Sequence, residues 1–479
     1  MSTLFDKQPR AFFMIFMLEI WERFGYYTVQ GILTLYFIRF LGFSDETAYY
    51  TFGAFSALVY GMIAIGGYVG DNLLGTKRSI VLGLATLALG YALLAMATPH
   101  SVFYALACIC VGNGLFKANP GSLLARCYED NDERLHGAYT LYYMAVNIGS
   151  IFALIIGPNV SKHFGYSYAF FASFIGMLLG LANFWFQRKH IQAIVSPADE
   201  RPLRWQLAAG LLVAMCAAVI MAAYLLQHAL IAKRFVWLVI LVVLAVYVVY
   251  MRRETVPVAR RMLLACILMA ESVAFFVLYQ QMPTSLNLFA VNHVHPFLLG
   301  IHIDPQSFQV LNPIWIVTLS PLFAWSYRKL HQRGVVFATP YKFALGMFCC
   351  GVSFFSLYFS RFFYDAHGMV SPGWLVLSYA LQSCGELLVS ALGLAMVAEL
   401  VPRRISGFVM GMWFLSTAVA GFLGATVASY TALPKDMMPG VDSLMLYTQV
   451  FSYVGLSALL LAVGLFCIAP YLTRLGRAC

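Results

Sequence analysis

The chain has 479 residues, of which 61% are apolar and only 10% charged, with a mean hydropathy of +0.79. A soluble domain carries roughly a quarter of its residues as Asp, Glu, Lys and Arg, so a water-soluble fold of this length could not cover its own surface. The net charge of +10 therefore has to be judged by where it falls before it suggests a nucleic-acid partner.

Fourteen apolar runs are expected to be membrane helices, since about 20 such residues cross a bilayer core. In chain order α1 to α6 are Ala11–Ile38, Tyr49–Gly70, Ser79–Ala97, Ser101–Phe116, Ala138–Val160 and Tyr166–Phe186. A middle pair follows, α7 at Trp205–Leu226 and α8 at Phe235–Tyr250. The last six, α9 to α14, are Met262–Phe289, Phe308–Tyr327, Phe343–Phe359, Trp374–Val401, Ile405–Tyr430 and Met445–Tyr471. The expected organisation is an N-terminal six-helix bundle over residues 1–190, a linker with two extra membrane helices over 191–257, and a C-terminal six-helix bundle over 258–479.

Lys and Arg set the orientation, because they accumulate in cytoplasmic loops. With the N-terminus inside and strict alternation, 22 of the 30 basic residues fall on the cytoplasmic side and 6 outside, including Lys233 and Arg234 between α7 and α8 and Lys435 between α13 and α14. Arg23 and Lys117 lie within helices. Both termini are expected in the cytoplasm, and the basic balance reflects topology rather than an acidic partner. The first ten residues, Lys7 among them, are polar and α1 is long, so no cleavable signal is expected. The cysteines sit mostly in apolar helices without metal-like spacing, and no metal site is expected.

The segment Gly67-Tyr-Val-Gly-Asp71-Asn-Leu-Leu-Gly75-Thr-Lys77-Arg78 follows α2. It resembles the loop signature of the major facilitator superfamily, which implies two six-helix bundles around a central path. Glycines there let two helices approach closely, and Asp71 can bond a helix N-terminus or a cation.

Charges inside the apolar runs are the strongest functional signal, because each costs several kcal/mol unless paired or hydrated. They are Glu19, Glu22 and Arg23 in α1, Lys117 at the end of α4, Glu271 in α9 and Glu386 in α12. The bland alternative is that they neutralise one another as structural glue. Residues 19, 23, 26 and 30 share one face of α1. Arg23 can grip a carboxylate bidentately, either a protein Glu or a ligand. A Glu that takes up a proton would release it, which is the switch a symporter needs.

Glu19-x-x-Glu22-Arg23-Phe-x-Tyr26-Tyr27 resembles the first-helix signature of the proton-coupled oligopeptide transporter family. Gly112-Asn-Gly-Leu-Phe-Lys117-Ala-Asn-Pro120, Thr140-Leu-Tyr-Tyr143-Met-Ala-Val-Asn147 and Gln281-Met-Pro-Thr-Ser-Leu-Asn287 resemble further elements of it, as do Gly385-Glu386 and Trp413-Phe-Leu-Ser416. The resemblance covers essentially the whole chain and is nearest to bacterial dipeptide and tripeptide permeases. It implies that Arg23 and Lys117 hold a peptide carboxylate, with Tyr26, Tyr27 and Tyr60 lining that end. Asn147 and Asn312 would bond the peptide backbone and Glu386 its α-ammonium. Trp315, Trp413 and Ser416 would form pocket walls, the tryptophans having helix packing or an interfacial belt as their alternative. The implied protein is a monomeric bacterial inner-membrane symporter of dipeptides, tripeptides and protons, with no cofactor and no enzymatic activity.

Two positions depart from the family pattern. An outer-gate Arg and Glu found in many members correspond here to Gln30 and Gln280, and α2 has no His. Proton coupling is therefore expected on Glu22 or Glu19, with Glu271 next. A membrane enzyme finds no nucleophile and base pair, metal spacing or phosphate loop. A relative carrying another solute, such as nitrate, is the closer alternative, but an anion carrier has little use for Glu386.

Overall fold

The computed structural model describes residues 8–128, 134–298, 300–334, 337–434 and 437–477; Lys7 and Lys435 of the charge tally lie outside them. A long helix is present in each of the fourteen expected segments. The first six span Arg10–Arg39, Asp45–Tyr68, Thr76–Ala95, Val102–Lys117, Arg134–Phe164 and Tyr166–Gln187. The middle pair spans Trp205–Gln227 and Ala229–Arg252. The last six begin with α9 at Val256–Tyr279 and α10 at Leu311–Gln332, followed by Thr339–Phe359, Gly373–Leu400, Ser406–Ser429 and Val441–Arg477. Among the described residues twelve helices are long and apolar enough to cross a membrane. The helix at Arg10–Arg39 is not one of the twelve and carries Glu19, Glu22 and Arg23 near its middle. Helices dominate because lipid offers the backbone no hydrogen-bond partner, so each segment must satisfy its own amides.

Two compact units are formed, one from residues 1–36 and 54–232, the other from 37–53 and 233–479. The middle pair is divided between them, α7 belonging to the first and most of α8 to the second.

In the first unit small residues let backbones touch, as membrane packing favours. A Cβ on Gly114 of α4 would stand 2.7 Å from the Met62 Cβ of α2, closer than real side chains come. The chain then turns from α2 into α3 at Gly75, whose φ of 93° is left-handed and whose added Cβ would lie 2.8 Å from the Asp199 carboxyl carbon. Only glycine fits both demands. Nearby, Asp71 meets Arg126 at 3.6 Å, a cation partner of the kind expected.

In the second unit α9 is not the single helix that its apolar run suggests. It stops at Tyr279, turns through Gln280–Thr284, and restarts as Ser285–His293. Pro283 explains the break, since it lacks an N–H and disfavours helical backbone before it. Side chains re-satisfy the freed groups. Gln281 Nε2 donates to the Val277 carbonyl at 2.9 Å and to Gly424 of α13 at 3.1 Å, and the Thr284 hydroxyl donates to the Gln280 carbonyl at 2.6 Å. Beyond it, Phe297–Leu298 pairs antiparallel with Ile301–His302 within the connection to α10.

Candidate functional site

The first unit places four charges of α1 and α4 in one buried cluster. Arg23 grips Glu22 bidentately, Nε to Oε2 and Nη2 to Oε1 both at 2.6 Å. Asn113 Nδ2 adds a donor to Glu22 Oε1 at 3.2 Å. Lys117 Nζ donates to Glu19 Oε1 at 2.7 Å, and the Tyr142 hydroxyl of α5 donates to Glu19 Oε2 at 2.6 Å. Arg23 Nε also stands 3.7 Å from Glu19 Oε1, which ties the two pairs together. Its guanidinium lies over the rings of Tyr26 and Tyr27, 4.8 and 5.8 Å from their centroids. Such contacts add cation–π attraction to the ion pairs.

Helix geometry explains this convergence. Glu19 and Arg23 are one turn apart on α1, as are Asn113 and Lys117 on α4. The whole set is neutral, two carboxylates against two cations. Both glutamates are inaccessible, whereas the Lys117 side chain retains 24% of its exposure. Lys117 is thus the more exposed cation of the cluster, against 6% for Arg23.

The second unit holds a separate acidic centre. Asn312 of α10 donates to Glu386 Oε2 of α12 at 2.8 Å and to the Ser383 hydroxyl at 3.1 Å. Glu386 forms no ion pair among the described residues. Glu271, buried in α9, has no hydrogen-bond partner for either oxygen among the described residues. The indole N–H of Trp315 is likewise buried without an acceptor there.

The remaining sequence candidates are less engaged. Asn147 Nδ2 bonds the Tyr143 carbonyl of its own helix at 2.8 Å, and the Ser416 hydroxyl bonds the Met412 carbonyl at 3.1 Å. Trp413 is buried edge-on against Phe276, their centroids 5.9 Å apart. Tyr60 is half-buried on α2. Residue reasoning missed Asn113, Tyr142 and Ser383, all uncharged. The signal was helical spacing, Asn113 lying four before Lys117 and Ser383 three before Glu386.

Paired charges at bilayer depth, carried on apolar helices with short connections, define a membrane transporter of the major-facilitator type. The model of the POT family matches residues 77–444, and the chain belongs to that family. It is 47% identical to dipeptide and tripeptide permease B of Aeromonas hydrophila subsp. hydrophila over 98% of this chain and 95% of that one. Dipeptide and tripeptide permease A of Yersinia pestis is 46% identical over 98% and 94%. Among solved structures, tetrameric PepTSo2 superposes with a TM-score of 0.87 at 35% identity, covering 97% of this chain and 99% of that one. A peptide transporter POT in complex with sulfate gives a TM-score of 0.84 at 30% identity, covering 98% and 96%.

Thermal denaturation in detergent of Lys117→Ala, Glu19→Gln and the double variant tests the cluster. Lys117→Ala is expected to cost about 1–3 kcal/mol, less than the about 3–5 of a fully buried pair because Lys117 is partly exposed. The double variant should lose less than the sum of the single losses. Strictly additive losses would show that the two residues do not interact.

Proposed function

We propose that this chain is a proton-coupled symporter importing dipeptides and tripeptides by alternating access, multi-pass in a bacterial inner membrane with both termini cytoplasmic. The carrying observation is the neutrality of the α1–α4 cluster. A peptide brings a carboxylate, and adding a third anion to two buried cations is unfavourable in a low-dielectric interior. Protonating one glutamate restores the balance. Substrate and proton then enter together because neither is well tolerated alone.

The geometry favours Glu19 for that proton. Its departure from Lys117 frees the more accessible cation, while Glu22 keeps Arg23 in place. The peptide carboxylate then goes to Lys117 and Arg23, beside Tyr26, Tyr27 and Tyr60. Asn147 and the Trp315 indole serve the peptide backbone. Asn312 holds Glu386 ready for the α-ammonium, and Trp413 and Ser416 stay assigned to the walls. Glu271 is available to hold a further proton. Fixed main-chain ends carry the recognition, which leaves side chains varied. Since one chain provides anchors for both ends, a monomer suffices. Protons are the coupling ion, and no covalent chemistry or cofactor is involved.

Glu19→Gln mimics the protonated state. In proteoliposomes it should retain counterflow exchange of dialanine, which needs no net proton movement, and lose concentrative uptake. Concentrative uptake by Glu19→Gln together with its loss in Glu22→Gln would move the proton to Glu22.

The amine anchor is tested separately by competition. N-acetylated dipeptides should compete at least about tenfold more weakly than free ones, the scale of a lost charge-assisted hydrogen bond, and Glu386→Gln should erase that difference. Equal competition by both in the unaltered protein would remove Glu386 from the ammonium site.

A further inference from the structure

A cavity of about 560 Å³ lies within the first unit where α3, the end of α6 and the linker meet α7. Its lining is divided by chemistry. Lys77 and Arg78 open α3 and Arg188 closes α6, so three cations stand at helix ends on one side. The next turns supply Val81, Leu82 and Ala85 from α3 and Phe184 from α6. From α7 come Ala208, Leu211 and Leu212. Lys77 to Ala85 is eight residues, about 12 Å of helix. The cavity thus runs from a charged mouth into an apolar slot along α3.

The cations are braced but not neutralised. Lys77 Nζ donates to the Ile191 and Gln192 carbonyls at 3.0 and 3.3 Å. Arg78 reaches the carbonyls of Leu74, Asp199 and Arg201 at 3.4, 3.4 and 3.0 Å. Arg188 stacks on the Trp185 ring, 3.9 Å from its centroid. Among the described residues none of the three forms an ion pair. The Asp199 carboxylate beside them is taken by the Lys77 and Ser196 amides and the Ser196 hydroxyl, at 3.3, 3.1 and 2.7 Å. Trp185 and Trp205 are both exposed, as aromatic residues are at headgroup level.

We propose that this cavity binds one anionic phospholipid of the cytoplasmic leaflet, its phosphate on Lys77, Arg78 and Arg188 and an acyl chain between α3 and α7. Charge complementarity selects the occupant. A basic pocket between helices on the cytoplasmic side suits an anionic headgroup, whereas a zwitterionic lipid brings no net charge to three cations. A free phosphate would leave the apolar slot unused. The lipid would fasten α7 and the linker to α3 and α6 within the first unit; its leaflet rests on the orientation proposed above, and nothing else in the proposal rests on the transport assignment.

The test is native mass spectrometry of the full chain, released from equal mixtures of phosphatidylglycerol and phosphatidylethanolamine. Preferential retention of one phosphatidylglycerol is expected. Arg188→Gln removes a cation that braces no backbone and should weaken that retention about fivefold. Ala85→Trp fills the slot from an exposed position and should abolish it. Excess inorganic phosphate should leave the lipid in place. Equal retention of both lipids, unchanged preference in both variants, or displacement by phosphate alone would each overturn the proposal.

Discussion

A charge at bilayer depth persists only if something nearby cancels it. Glu19, Glu22, Arg23 and Lys117 meet that demand as two interlocked pairs, with Arg23 bridging them at 3.7 Å. Their neutrality is what makes them useful. On the proposed reading, a set of four accepts a fifth charge only with a compensating proton, which is the condition for symport. Glu386 faces the same constraint differently, held by the neutral donor Asn312 at 2.8 Å and, among the described residues, without an ion pair.

Much of this was legible in the sequence because membrane helices announce themselves by length and apolarity. Each of the fourteen segments holds a long helix, and the charges that interrupt them are the candidates for the site. What escaped was finer. The break in α9 hides in an apolar run, and Pro283 signals it only if proline is weighed above hydropathy. Which glutamate pairs with which cation was also hidden. Adjacency on α1 links Glu22 to Arg23, but the 2.7 Å contact of Glu19 with Lys117 joins residues 98 positions apart. The neutral partners Asn113, Tyr142 and Ser383 carry no charge to attract notice.

The broken α9 and the glycine contacts of α2 and α4 serve the same end by different means. Close backbone approach at Gly114 seats α4 directly against α2, where an added Cβ would stand 2.7 Å from the Met62 Cβ. The turn at Gln280–Thr284 instead exposes backbone groups and returns them to side-chain partners, the device by which membrane proteins place irregular backbone without penalty.

The central claim is that a peptide carboxylate and a proton arrive together. Isothermal titration of dialanine at neutral pH, in buffers of different ionisation enthalpy, reads the protons taken up per peptide bound. The charge balance predicts about one proton for dialanine and none for its C-terminal amide, which brings no anion. Equal proton uptake by both ligands, or none by dialanine, would contradict it.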